Sequence, residues 1–212
     1  MSQATAPSAR TRIRRLPDRG RYDFATVAAI VDATMLCTVA FQIDGAVHAI
    51  PTLHWREGEH LYIHGAKASR MLKALAHGEA CVTIAQADGL VLARSAMHHS
   101  MNYRSVVIYG RFEAVTDPDY KLRSLEAFIE GLYPGRWQTL RPINDKELNA
   151  TTVLRIPLTE ASAKVRAAGV KDDEEDLSWP VWAGVIPLHT VPGEPQAEHD
   201  SVLSDVPPTR FV

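Results

Sequence analysis

Apolar and polar positions change period several times along the chain, and the changes divide it into elements. Over residues 24–34, Val27, Ile30 and Val31 recur at helical spacing behind Asp23, a residue type suited to an N-cap. Residues 35–43 are then a dense apolar run, Asp44-Gly45 is a hairpin turn pair, and residues 47–55 continue as a second strand. A turn at Glu57-Gly58-Glu59 leads into a third strand over 61–64, so three antiparallel strands are expected as a meander. The period then returns to helical, with Met71, Leu72 and Leu75 on one face over about residues 68–76. Residues 80–87 and 90–96 read as two strands around an Asp88-Gly89 hairpin turn, and a long strand follows over 103–115. Asp117-Pro118 opens a helix to about residue 133 with Leu122, Leu125, Phe128, Ile129 and Leu132 buried, and Pro134-Gly135 ends it. A short helix over 144–149, a β-branched strand over 151–158, an acidic loop and a last strand over 185–191 complete the pattern. Six or seven strands with two or three interrupting helices predict a mainly β (α+β) fold, a closed or split β-barrel of antiparallel strands with peripheral helices.

The ends lack this periodicity. Residues 1–20 are polar and carry Pro7 and Pro17, so a flexible basic arm, or a segment ordered only against a partner, is expected there. Residues 192–212 are Pro-rich and polar and read as a flexible tail, leaving 21–191 as the folded domain. With 212 residues, 46% hydrophobic and 23% charged, the chain can bury one substantial core. It contains no apolar run of about 18 residues, so no membrane span is expected. No apolar stretch follows the basic start as in a signal peptide, and the expected location is cytoplasmic.

A formal net charge of −2 argues against general nucleic-acid binding. The charge is uneven: Arg10, Arg12, Arg14, Arg15, Arg19 and Arg21 crowd the start, and Asp172, Asp173, Glu174, Glu175 and Asp176 form an acidic run. These are two solvated segments or the two sides of a subunit contact. Cys37 and Cys81 lie in apolar runs and are expected as small buried hydrophobes, without metal-ligand spacing.

Three stretches could carry chemistry. The first is the strand-to-helix passage from Leu61 to Leu72. Gly65 would permit a close turn, amides at the helix start would point outward, and Lys67, Ser69 and Arg70 would add charge-assisted donors, which together suit a phosphate. The alternative is an ordinary helix start with Ser69 near the N-cap. Neither GxGxxG nor GxxxxGK is present, and the hairpins argue against a parallel doubly wound sheet. The second stretch runs from Arg94 to Ser105 and holds His98 and His99. Adjacent histidines on a strand face opposite sides, and no neighbouring carboxylate or cysteine completes a set, so no metal site is expected. No GxSxG elbow marks a hydrolase. Either this is a polar barrel rim, or Arg104 and Ser105 are donors to an anionic or heteroaromatic ligand walled by Met101 and Tyr103. The third stretch, Trp179-Pro180-Val181-Trp182, packs in the core or caps a pocket with a flat aromatic surface. His54 and His64, near strand ends, are structural or ligand-contacting.

Three blocks in order carry a resemblance: His64-Gly65-Ala66-Lys67-Ala68-Ser69-Arg70, then Asp88 to Ser105 with His98-His99-Ser100-Met101-Asn102-Tyr103-Arg104, then Pro180-Val181-Trp182-Ala183-Gly184. Over about residues 20–190 the chain resembles the pyridoxamine 5′-phosphate oxidase-like FMN-binding split-barrel family, in the branch related to nitroimidazole-resistance flavin-nucleotide-binding proteins. The resemblance implies a split barrel, a homodimer, and FMN in clefts at the subunit interface. It implies a phosphate site at His64, Gly65, Ala66, Lys67, Ser69 and Arg70, and a strand at Ile50, Pro51 and Thr52 beside the flavin ring. Met101, Asn102, Tyr103, Arg104 and Ser105 would close the cleft, in one arrangement from the other subunit, and Trp182 would approach the ring. The basic phosphate-binding strand and C-terminal substrate residues of true pyridoxamine phosphate oxidases are absent, so vitamin B6 oxidation is not expected. The expected activity is transfer of hydride or electrons from NADH, NADPH or another reductant to a small acceptor. A flavin- or haem-binding carrier or sensor, with His98 or His99 as axial ligand, is the alternative. No catalytic acid or base is identifiable.

Overall fold

Local caps and turns fix most element ends in the computed structural model, which describes residues 4–198; residues 1–3 and 199–212, the extremes of the expected arm and tail, lie outside the described residues. In chain order the elements are β1 (Gly20–Arg21), α1 (Phe24–Asp32), β2 (Leu36–Ile43), β3 (Ala46–Leu53), β4 (Trp55–Glu57), β5 (His60–Ala66), α2 (Arg70–Leu75), β6 (Glu79–Leu92) and β7 (Ser100–Arg111). Then follow β8 (Glu113–Ala114), α3 (Pro118–Leu132), α4 (Asp145–Ala150), β9 (Thr151–Pro157), β10 (Ala161–Arg166) and β11 (Gly184–Pro187). Asp23 caps α1 by accepting from the Thr26 N–H at 2.8 Å, and Asp117 caps α3 ahead of Pro118. Asn144 and Glu147 close a reciprocal capping box on α4. Asp44 and Gly45 take φ of 50° and 79°, which is the two-residue turn that a tight hairpin needs.

All pairings are antiparallel, in a seven-stranded sheet of order β1-β10-β7-β6-β2-β3 with β11 also on β6, and a four-stranded sheet β4-β5-β9-β8. The two sheets face each other as an open, split barrel. Val39 and Phe41 of β2, Val82 and Ile84 of β6, Val106 and Ile108 of β7, Leu61 and Ile63 of β5, and Leu154 and Ile156 of β9 fill the space between them. The other face of the second sheet meets α3: Trp55, Tyr62 and Val153 pack against Leu125 and Phe128. Among the described residues, no helix is long and apolar enough to cross a membrane.

Several expectations change. The first three strands are not one meander, because the chain leaves the large sheet at His54, whose buried N–H donates to Met35 O at 3.0 Å, and starts the second sheet with β4. Asp88-Gly89 is not a hairpin turn but a bulge within the single long strand β6, where the register against β7 shifts. A Cβ at Gly89 would lie 3.0 Å from Ile186 O, so the glycine admits β11 to the edge that β2 leaves free. The strand expected over 103–115 divides around Phe112, β7 staying in one sheet and β8 joining the other. β1 and β10 were not foreseen. β1 pairs with β10 and β10 with β7, and within the segment expected as an arm Arg10 reaches the large sheet: it donates to Glu160 Oε1 at 2.8 Å and Glu79 Oε2 at 2.9 Å, and its guanidinium covers the Tyr109 ring. Of the acidic run, Asp172 meets Arg94 rather than the N-terminal arginines. Cys37 is buried, whereas Cys81 is only partly so.

Candidate functional site

The β5–α2 corner builds the first part of the site. Gly65 does not turn the chain; it pairs with Thr152 inside β5, and a Cβ there would come within 3.1 Å of Leu72 Cδ1. Its role is to let α2 pack closely. Ser69 caps α2 by accepting from the Leu72 N–H at 3.4 Å, and its own N–H closes the turn onto Ala66 O at 2.8 Å. With only six residues, α2 offers little dipole, so attraction for an anion rests on side chains. Lys67 and Arg70 supply it, and among the described residues neither is paired with a carboxylate. His64 packs its ring on aromatic neighbours, with centroids 4.7 Å from Phe128 of α3 and 5.8 Å from Trp55. Burial lowers its pKa, and its Nδ1 has no hydrogen-bond partner. It is a neutral ring beside the corner rather than a cationic anchor.

The second part is β3, the terminal strand of the large sheet, whose outer edge carries unpaired backbone groups. Ile50 and Thr52 pair with Val39 and Cys37 and so project from the core side of the sheet at its rim, while Pro51 occupies the strand type that tolerates a missing N–H.

The third part, Met101 to Ser105, begins β7. Here the expected donors are already engaged. Arg104 makes a bidentate pair with Asp88, at 3.0 Å and 2.9 Å, and also donates to Gln86 Oε1 at 2.9 Å. Asn102 Oδ1 accepts from Arg166 Nη1 and from the Ala168 N–H, bracing the turn after β10. The Ser105 hydroxyl reaches Lys164 O at 3.4 Å. Tyr103 is half-buried, while Met101 and Trp182 are 41% and 61% exposed. Trp179 is exposed as well, so the tryptophans are neither core nor, within one chain, a closed lid.

Trp182 leads into β11, which pairs with β6 at Gly89–Leu92, the same end as Met101. At the opposite end of β7, Arg111 donates to His77 O just beyond α2, the helix that begins at the β5–α2 corner. From Arg104 to Arg111 is seven residues of β7, about 23 Å of extended chain.

The fold also assembles what sequence spacing hid. Lys121, on the first turn of α3, joins the β5–α2 corner through carbonyls beside Ala66 and Lys67. Arg166, 6% exposed, stands behind Asn102. No local motif marks either residue. Contrary to the expectation that no carboxylate neighbours the histidines, Asp173 and Asp176 come to His98, with ligand atoms all within 4.8 Å of one another. His99 Nδ1 lies 3.0 Å from Ser95 O.

The sequence profile of pyridoxamine 5′-phosphate oxidase matches residues 23–165. No curated protein matches the chain. Among solved structures, the chain is similar to the flavocytochrome Anf3 from Azotobacter vinelandii, at 43% identity over 97% of this chain and 96% of that one, with a TM-score of 0.91. It is similar to the FAD and haem binding protein from Mycobacterium smegmatis, at 34% identity over 90% and 95% of the two chains, with a TM-score of 0.85. A proposed 5-nitroimidazole antibiotic resistance protein from Bacteroides thetaiotaomicron, 19% identical over 68% of this chain and 84% of that one, shares the fold with a TM-score of 0.58.

Proposed function

We propose, from the premise that this chain belongs to the pyridoxamine 5′-phosphate oxidase family, that it is a flavin-nucleotide-binding electron-transfer protein. The observation that carries this reading is the β5–α2 corner, where Lys67, Ser69 and Arg70 gather positive charge and donors and, among the described residues, no carboxylate pairs with them. A phosphate monoester or diester supplies the missing charge. FMN and FAD share the phosphate that such a corner takes, and the FAD and haem binding relative favours FAD for this chain over the FMN that the sequence resemblance implied. Once bound, the flavin would supply hydride or electron transfer, with NADH or NADPH as the donor to test first. The protein's part is to hold the phosphate at the corner, to lay the β3 edge beside the ring, and to exclude water.

Water exclusion calls for a second subunit. Leu36, Val47, Ile50 and Leu53 are exposed along β2 and β3, and Met101, Trp179 and Trp182 are exposed at the far end. A two-fold homodimer that sets one corner and β3 edge against the partner's Met101–Ser105 and Trp182 end would cover both apolar faces and complete the site.

Purification and an absorption spectrum test the reading. Flavin bands should be present or appear on adding FMN or FAD; a colourless protein that takes up neither defeats it. Light scattering tests the dimer, and a monomer at micromolar concentration defeats the shared site.

A second cofactor has its own support. Two relatives are named for haem or cytochrome character, and His99 would be the residue to hold a haem iron: its Nδ1 is held on a backbone carbonyl, leaving Nε2 on an exposed ring. His98 instead turns Nε2 toward Asp173 at 3.7 Å. A Soret band should be lost in His99→Ala and kept in His98→Ala; the reverse result removes His99 from this role.

A further inference from the structure

Lys121 has no place in the sequence motifs, yet its ammonium is held in a fixed position at the cationic corner. It donates to Leu148 O at 2.7 Å and to Thr151 O at 2.8 Å. Thr151 is the β9 partner of Ala66, and the Lys67 N–H donates to Ala150 O at 2.7 Å. The Lys121 ammonium and the Lys67 backbone therefore bind carbonyls of consecutive residues, whose Cα atoms are about 3.8 Å apart. An ammonium has three protons. Two of them are spent on those carbonyls, and no acceptor for the third occurs among the described residues.

The charge is equally unspent. Among the described residues, no carboxylate pairs with Lys67, Arg70 or Lys121. Burial, and after it the neighbouring Lys67 charge, push the Lys121 ammonium below the ordinary lysine range. A fold that tethers one ammonium where the charge of a second lysine is felt, with a proton left over and no carboxylate paired with either among the described residues, gains from an oxyanion bound by both.

We propose that Lys121 is a phosphate ligand of this corner, closing with Lys67, Ser69 and Arg70 on the phosphate of the flavin nucleotide and setting the preference for phosphorylated flavin. This rests on the flavin reading above and adds a residue from α3, more than fifty positions beyond the motif. Free inorganic phosphate has the same chemistry, and the two sources are separable.

The test is a titration of the full chain with riboflavin, FMN and FAD, for wild type and Lys121→Met. Loss of one charge-assisted bond should weaken FMN and FAD by about ten- to a hundredfold and leave riboflavin unchanged. The riboflavin value also reports whether the variant is folded. Because Lys121 tethers the end of α4, acetylation of wild-type lysines with acetic anhydride gives a second measurement that needs no variant. FMN should protect Lys121, and riboflavin should not. An unchanged ratio of FMN to riboflavin affinity in Lys121→Met, or Lys121 labelled equally with and without FMN, overturns the inference while leaving flavin binding intact. Protection by inorganic phosphate at the same concentration as FMN overturns the assignment to a flavin phosphate. Failure of all three flavins to bind overturns the parent reading and this inference with it.

Discussion

Gly89→Ala tests how the long strand β6 is used by two different neighbours. The added Cβ would stand 3.0 Å from Ile186 O, 3.1 Å from Val185 Cγ1 and 3.5 Å from Pro187 Cα. A backbone oxygen cannot rotate aside as a side chain can, so β11 must move outward by a few tenths of an ångström or give up its pairing. Overpacking of this kind costs about 1–3 kcal/mol. The pairing at risk joins Gly184–Pro187 to Gly89–Leu92 and includes the Leu188 N–H on Asp88 O at 3.1 Å. A few hydrogen bonds at about 1 kcal/mol each are comparable with the strain, so β11 should open locally rather than unfold the barrel. A penalty of about 2 kcal/mol would lower the melting temperature by roughly 4–8 °C and speed amide exchange of residues 184–188 about thirtyfold. Hydrogen exchange with mass spectrometry reads the second number directly. If melting falls while residues 184–188 keep their protection, Gly89 does not lie beneath β11, and the bulge is wrong as the reason for this glycine.

Other substitutions probe the core, a cap and a surface cluster. Ile63→Ala removes a fully buried side chain between the two sheets and should cost about 2–5 kcal/mol in denaturant unfolding; a cost below 1 kcal/mol would mean the sheets do not meet there. Ser69→Ala should cost about 0.5–1 kcal/mol, at the low end for a cap because its bond to the Leu72 N–H is long, and calorimetry of the flavin-free protein should show it. Arg10 holds Glu160 well below the usual carboxylate range, at about 2. A carboxylate whose folded pKa is depressed stabilises above its unfolded value and loses that contribution as pH falls toward the folded one. Wild-type melting should therefore drop between about pH 4.5 and 2 more steeply than that of Arg10→Ala, by a modest amount because the pair is exposed. Parallel pH profiles for the two proteins would show that the N-terminal segment is not held by this pair.

Elements governed by near neighbours were legible in the chain. Asp23, Asp117 and Asn144 cap helices because their side chains reach amides three residues on, and Asp44-Gly45 turns because both residues adopt positive φ at little cost. The Lys67–Ser69–Arg70 segment stood out for the same reason, as charge and hydroxyl groups crowded at one helix start. Asp88-Gly89 shows the limit. The same residue pair becomes a bulge there, because β7 stays paired on both sides of it and β11 needs room beside it. β10 escaped notice because its buried members include Ala161, Ser162 and Ala163, which carry little apolar signal; Val106 and Ile108 across the strand pair, rather than their own hydrophobicity, bury them.

The same division runs through the site. Composition and order along the chain determined a β-rich, barrel-like antiparallel fold, its helix starts and the crowding of Lys67, Ser69 and Arg70 at one of them, since those depend on short-range geometry and residue chemistry. Tertiary structure alone decided that Arg104 is already neutralised by Asp88, that Met101 to Ser105 stand at the other end of β7 from Arg111, which meets His77 just beyond α2, and that Lys121 reaches the corner from α3. Each of these depends on which strands pair across long stretches of sequence. Pairing is settled by burial of both sheet faces at once, a quantity no local window contains.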